Sequence, residues 1–187
     1  MSSMCGQSEW STASETYLFS ATDGTNGCEL WILDEENVPS LLLDIHSSGD
    51  SMPGKEIGIH VVDTERGPRF FFDADDGIHG REMWVSDGTS IGTTMLGDME
   101  TADAIDWTAE FTPWMDGAVF TTHGQQGHRM WWTNGSVTTS IWQAPWFSSS
   151  TSTDLVNQSM TLSSLGQGLL QGDENGLWFA GKDASAG

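Results

Sequence analysis

The sequence predicts an all-β chain: an array of antiparallel four-stranded repeat units. Three observations predict it. Residues 17–31 read YLFSATDGTNGCELW, residues 70–84 read FFFDADDGIHGREMW, and a weaker copy at 119–131 reads VFTTHGQQGHRMW. The copies end on Trp31, Trp84 and Trp131, spaced 53 and then 47 residues apart. A period of that length marks an array of small sheets, each needing its neighbours to bury a face. Secondly, turn signals such as Asp76-Gly77, Asp87-Gly88 and Asp116-Gly117 separate short apolar runs. Thirdly, no segment sustains a helical period.

The elements follow in order. In the first unit, strands are expected at 17–21, 29–33, 40–44 and 56–62, and a turn over 63–67 leads into the next unit. In the second, the aromatic run at 69–74 is a strand and the following Asp and Gly residues turn the chain. Residues 82–86 alternate, with Met83 and Val85 on one face and Trp84 on the other. Asp87-Gly88-Thr89 is a hairpin turn, because Gly accepts positive φ and Asp bonds the backbone ahead of it. Strands at 93–98 and 110–115 complete that unit. Pro39, Pro53 and Pro113 fall at or near strand starts, where a missing N–H does least harm. The units run approximately 17–69, 70–117 and 118–172, followed by a truncated unit at 173–187.

The chain has 187 residues, enough for a real core. Its 27 acidic side chains face 6 basic ones, for a net charge of −21. Nucleic acid is excluded as a partner, since phosphate contacts need clustered Lys and Arg. No window is long and apolar enough to insert in a membrane. The acid is uneven: between 118 and 172 the only charged residues are Arg129 and Asp154, and four tryptophans stand there instead. Cys5 and Cys28 form either one disulfide or two free thiols. The first ten residues lack the basic start and apolar stretch of a secretion signal. The last eleven, LWFAGKDASAG, look like the opening of another repeat. Either the N-terminal segment around Trp10 and Tyr17 pairs with that strand, or the array continues and its exposed edges favour self-association.

These motifs resemble the E-L-W-x-x-D-G-T repeat family. The second copy supplies Phe72, Ala74, Asp76, Gly77, Gly80, Glu82, Trp84, Asp87, Gly88, Thr89, Gly92, Thr93 and Asp98 in the family's order. The first supplies Phe19, Ala21, Asp23, Gly24, Gly27, Glu29, Trp31, Asp34, Asp44, Ile45, Ser51 and Pro53, but has Glu35-Glu36 in place of Gly-Thr. The third keeps Gly124, Gly127, Met130, Trp131, Asn134, Gly135 and Ser136, with Arg129 where Glu is expected. The resemblance covers most of residues 17–136. It implies a β-propeller-like fold, here a partial or open array, in an extracellular or cell-surface protein. It implies little about reaction chemistry.

Candidate sites are few. Asp73, Asp75 and Asp76 form an oxygen-rich group that suits calcium, the one cofactor the sequence suggests. Their spacing also fits a hairpin turn with solvated acids. The motif tryptophans are expected in packing between sheets, on the second strand of each unit. Trp107, Trp114, Trp142 and Trp146 lie outside the motif positions and are the candidate ligand contacts. His46, His60, His79, His123 and His128 show no metal-ligand spacing. No nucleophile elbow, phosphate loop or dinucleotide fingerprint is present. Asn134-Gly135-Ser136 and Asn157-Gln158-Ser159 match the glycosylation acceptor pattern. The expected role is a non-enzymatic scaffold for protein or carbohydrate contacts. The alternatives are a lectin-like carbohydrate-binding module, and a propeller-type glycoside hydrolase or lyase with unrecognised carboxylates.

Overall fold

Each motif copy folds as a hairpin whose second strand carries the tryptophan. The computed structural model describes residues 3–11, 14–33, 36–64, 66–99, 111–124, 127–143, 170–173 and 176–179. The first sheet contains β1 (Ser3–Ser11), β2 (Thr16–Thr22), β3 (Glu29–Leu33) and β4 (Pro39–Leu43). The second contains β5 (Ile59–Thr64), β6 (Gly67–Asp75), β7 (Arg81–Ser86) and β8 (Thr94–Met95). The third contains β9 (Thr112–Trp114), β10 (Gly117–Gly124), β11 (Gly127–Thr133) and β12 (Thr138–Gln143). All three are antiparallel meanders in sequence order, and β13 (Leu170–Asp173) pairs with β14 (Gly176–Phe179). Among the described residues there is no helix.

The all-β class and the four-stranded sheets agree with the expectation; the phase of the units differs from it. The strand expected to close the first unit is β5, and it pairs with β6 in the second sheet. The turn expected to join two units is therefore a hairpin within one sheet. Gly67, at φ 95°, makes that tight reversal. The first sheet is completed instead by β1, which pairs with β2. Thus the N-terminal segment around Trp10 pairs with β2, not with the C-terminal strand. Nothing in the apolar pattern marks β1: its sequence is SMCGQSEWS, and residues 5–7 bulge between the pairs Met4–Ala21 and Ser8–Phe19.

The sheets stack face against face. β6 is buried on both sides, from Phe70 through Ala74. Its Phe70, Phe72 and Ala74 join Trp84 against Leu18 and Leu30 of the first sheet. On the opposite face, Phe71 and Val85 pack with Ala118 of the third sheet, and Met83 packs with Phe120 and Trp131. Full burial of one such phenylalanine contributes about 1.5–3 kcal/mol. This explains why the run reads as continuous aromatic rather than alternating.

Trp31 and Trp84 are 7% and 9% exposed, and Trp131 is half-buried. They sit on the third strand of each sheet, a consequence of the shifted phase. Trp84 and Trp131 face the preceding sheet, whereas the described neighbours of Trp31 all belong to its own sheet. The first strands also follow one another: β1 lies beside β5, β5 beside β9, and β9 beside β13. Gly88 has φ 88°, as its Asp-Gly-Thr turn requires.

Candidate functional site

Buried carboxylates are the most distinctive polar feature of the stack. Glu29, on β3, is fully buried. Its Oε2 accepts bonds from the Ile45 amide at 2.8 Å, the His46 amide at 3.4 Å and the Ser51 hydroxyl at 2.6 Å. Its Oε1 accepts from the Ser51 amide at 3.0 Å. Burial pushes the Glu29 carboxyl above its usual pKa, and the bonds from Ser51, Ile45 and His46 only partly offset it. Glu82 occupies the same place on β7 and accepts from the Met99 amide at 3.2 Å. Each glutamate pins the segment that leaves the fourth strand.

Asp73 is also fully buried. Arg81 Nη1 donates to its Oδ2 at 2.6 Å, and the amides of Glu56 and Ile57 donate to the same carboxylate. Arg81 further donates to the Ser51 and Met52 carbonyls at 3.2 and 3.0 Å. One ion pair therefore fastens the crossover between the first two sheets onto the second.

Each of the calcium candidates accepts hydrogen bonds from within the protein. Asp73 is engaged by Arg81, and Asp75 Oδ1 accepts from the Gly77 amide at 2.7 Å. Asp76 Oδ1 accepts from the amides of Ile78 and His79, while Oδ2 meets His79 Nδ1 at 2.7 Å. Burial works against ionising Asp76, but the bonds from His79 and Ile78 outweigh it and lower its pKa. The bond to Asp76 in turn raises the pKa of His79. Asp23 closes the equivalent turn of the first sheet, and the amides of Asn26 and Thr25 lower its pKa. Among the described residues, no three His, Cys, Asp or Glu side chains converge as a metal-binding group.

Of the candidate ligand tryptophans, Trp107 and Trp146 lie outside the described residues. Trp142 is on β12, and its side chain lies outside the description. Trp114 is half-buried at the end of β9, where its carbonyl accepts from Trp132 Nε1 at 3.2 Å. Its own buried indole N–H finds no acceptor among the described residues, and neither do those of Trp31 and Trp84. Trp131 differs, donating to Thr122 Oγ1 at 2.9 Å. In the first two copies the corresponding position holds Ala21 or Ala74.

No family model, curated protein or solved structure matches this chain. The motif resemblance therefore rests on the residues themselves.

Cys5 and Cys28 form a disulfide, which decides between the two states left open by the sequence. It ties the bulge of β1 to the start of β3 across the intervening β2. Beside it is a small pocket of about 180 Å³, lined by Cys5, Gly6, Gln7, Met52, Pro53 and Lys55. Sequence reasoning missed the pinning role of Glu29 and Glu82. The available signal was a glutamate recurring immediately before an apolar residue and the motif tryptophan, as Glu29-Leu30-Trp31 and Glu82-Met83-Trp84.

Proposed function

We propose that this chain is a non-enzymatic repeat scaffold for protein or carbohydrate contacts, built of β-propeller-like blades of the E-L-W-x-x-D-G-T type. The observation that carries this reading is the use of its buried carboxylates. Glu29 and Glu82 hold backbone amides of the segments that leave their sheets, and Asp73 holds amides of the crossover that enters its own. Groups held in this way position the chain and are not directed at a substrate. The succession of first strands, β1 beside β5, β5 beside β9 and β9 beside β13, supports a blade-like arrangement. The disulfide supports an extracellular or cell-surface location, since such bonds persist in oxidising compartments. The reading needs no cofactor. Calcium at Asp73 and Asp76 would have to displace Arg81 and His79 from those carboxylates.

The test is a polysaccharide turnover screen run beside a glycan array. The expected result is no turnover. Turnover abolished by one Asp or Glu substitution would replace the scaffold with the hydrolase or lyase alternative. Glycan binding lost on Trp114→Ala would make the chain a lectin-like module.

A further inference from the structure

Among the described residues, four of the six strongly exposed large hydrophobic side chains stand at one end of the stack. They are Val38 at 55%, Ile91 at 93%, Met115 at 65% and Val137 at 57% exposure. Single exposed aliphatic residues are ordinary. Three of these, however, recur in one turn of the repeat: Val38 and Ile91 come seven residues after Trp31 and Trp84, and Val137 comes six after Trp131. Each lies in the turn between the third and fourth strands of its sheet. Antiparallel strands alternate direction, so the turns between first and second strands share that end.

The turns of neighbouring sheets adjoin. A Cβ on Gly88 would lie 3.3 Å from Thr16 Cγ2, and one on Gly135 would lie 3.5 Å from Arg69 Nε. Arg66 pairs with Asp116 at 3.1 Å, joining the second sheet to the third. Three sheets thus present their aliphatic turns along one rim. Acid surrounds it, for Glu15, Glu36, Asp63 and Asp87 are exposed at the same end. Of the cations there, Arg66 is held by Asp116, and Arg69 donates to the Pro68 and Arg66 carbonyls.

We propose that this rim docks a basic protein segment carrying aliphatic side chains. The inference rests on the scaffold reading and specifies its partner. An apolar centre with a charged periphery is the usual anatomy of a protein contact. A second copy of this chain is disfavoured, because two chains of net charge −21 repel. A glycan is disfavoured as well, because sugar rings seat on flat aromatic faces, whereas the exposed rim side chains are aliphatic.

The experiment uses an amphipathic Lys–Leu peptide and an oligolysine of equal charge, with binding read by fluorescence anisotropy. Salt is kept low enough for oligolysine binding to be measurable, and the comparison is repeated as salt is raised to screen the exposed charge attraction. The expected result is tighter binding of the Lys–Leu peptide. Its affinity should fall about tenfold or more in the combined variant Val38→Ser, Ile91→Ser and Val137→Ser. Oligolysine binding should not change, and neither should Lys–Leu binding by Ile78→Ser, a variant at the opposite end. Equal affinity of the combined variant and the wild type overturns the proposal. So does a wild type with no preference between the peptides. Neither result touches the scaffold reading, which stands or falls on the turnover screen. Should the combined variant melt early, amide shifts of the wild type decide. Shifts at residues 36–38, 89–91 and 135–137 on peptide addition support the rim, and shifts confined to the opposite turns overturn it.

Discussion

Phe72 on β6 stands directly opposite Trp84 on β7, and the same pairing recurs as Phe19 with Trp31 and Phe120 with Trp131. A cross-strand aromatic pair is a strong local unit of sheet stability. In the second sheet the pair also reaches the first, through Leu18 and Leu30. It therefore acts within a sheet and between sheets.

Trp84→Ala should accordingly cost about 3–5 kcal/mol, the range for truncating a buried aromatic side chain. Urea denaturation of the folded variant measures this. A loss below about 0.5 kcal/mol, the scale of ordinary surface substitutions, would show that the pair contributes little to the stack.

Glu29→Gln should destabilise by about 1–3 kcal/mol, although it removes the burden of burying a charge. Both carboxylate oxygens accept from donors, including backbone amides on each. A glutamine must turn its NH₂ toward one of them, leaving a buried N–H without a partner. Equal or greater stability of the variant in thermal melts would contradict the pinning role.

His79 and Asp76 should titrate as a pair. The raised pKa of His79 adds stability that is fully present below its unfolded value near 6.5 and lost as pH rises through the folded one. The lowered pKa of Asp76 adds stability present above its unfolded value near 3.8 and lost as pH falls through the folded one. Their joint contribution is therefore greatest between those limits. Asp76→Asn should move the His79 titration, followed by NMR, down toward 6.5, with Asp98 and Glu82 exerting a smaller remaining pull. A His79 midpoint unmoved by the substitution would remove the pairing.

The disulfide should matter for stability. It spans 23 residues of sequence, and closing a loop of that size in the unfolded chain contributes about 2–4 kcal/mol. The Cys5→Ser, Cys28→Ser double variant should lose a comparable amount, read by denaturant midpoint. A midpoint equal to that of the oxidised protein would mean that β1 is held by its ladder alone.

Much of the strand pattern was legible because its signals are local. The 29–33 strand matches β3 at both ends, and the aromatic run at 69–74 lies within β6. Asp87-Gly88-Thr89 is a turn with Gly88 at positive φ. The N-terminal strand was not legible, since Cys5, Gly6 and Gln7 bulge out of register and offer no alternation. The carboxylate group Asp73, Asp75 and Asp76 suggested a cation in sequence. In space, Arg81 and His79 engage its first and last members.

By itself, then, the sequence determined the all-β class, the repeating aromatic hairpin and the turns, because each depends on residues a few positions apart. Tertiary structure decided which strands share a sheet. Turns flank β5 on both sides, after β4 and before β6, and only hydrogen-bond partners reveal that β5 belongs with β6. It also decided that Cys5 meets Cys28, and that Glu29 reaches Ile45 and Ser51. Those contacts join residues 16 to 23 positions apart. They form only when β1 and the segment after β4 are folded back onto the sheet, an arrangement that no local propensity encodes.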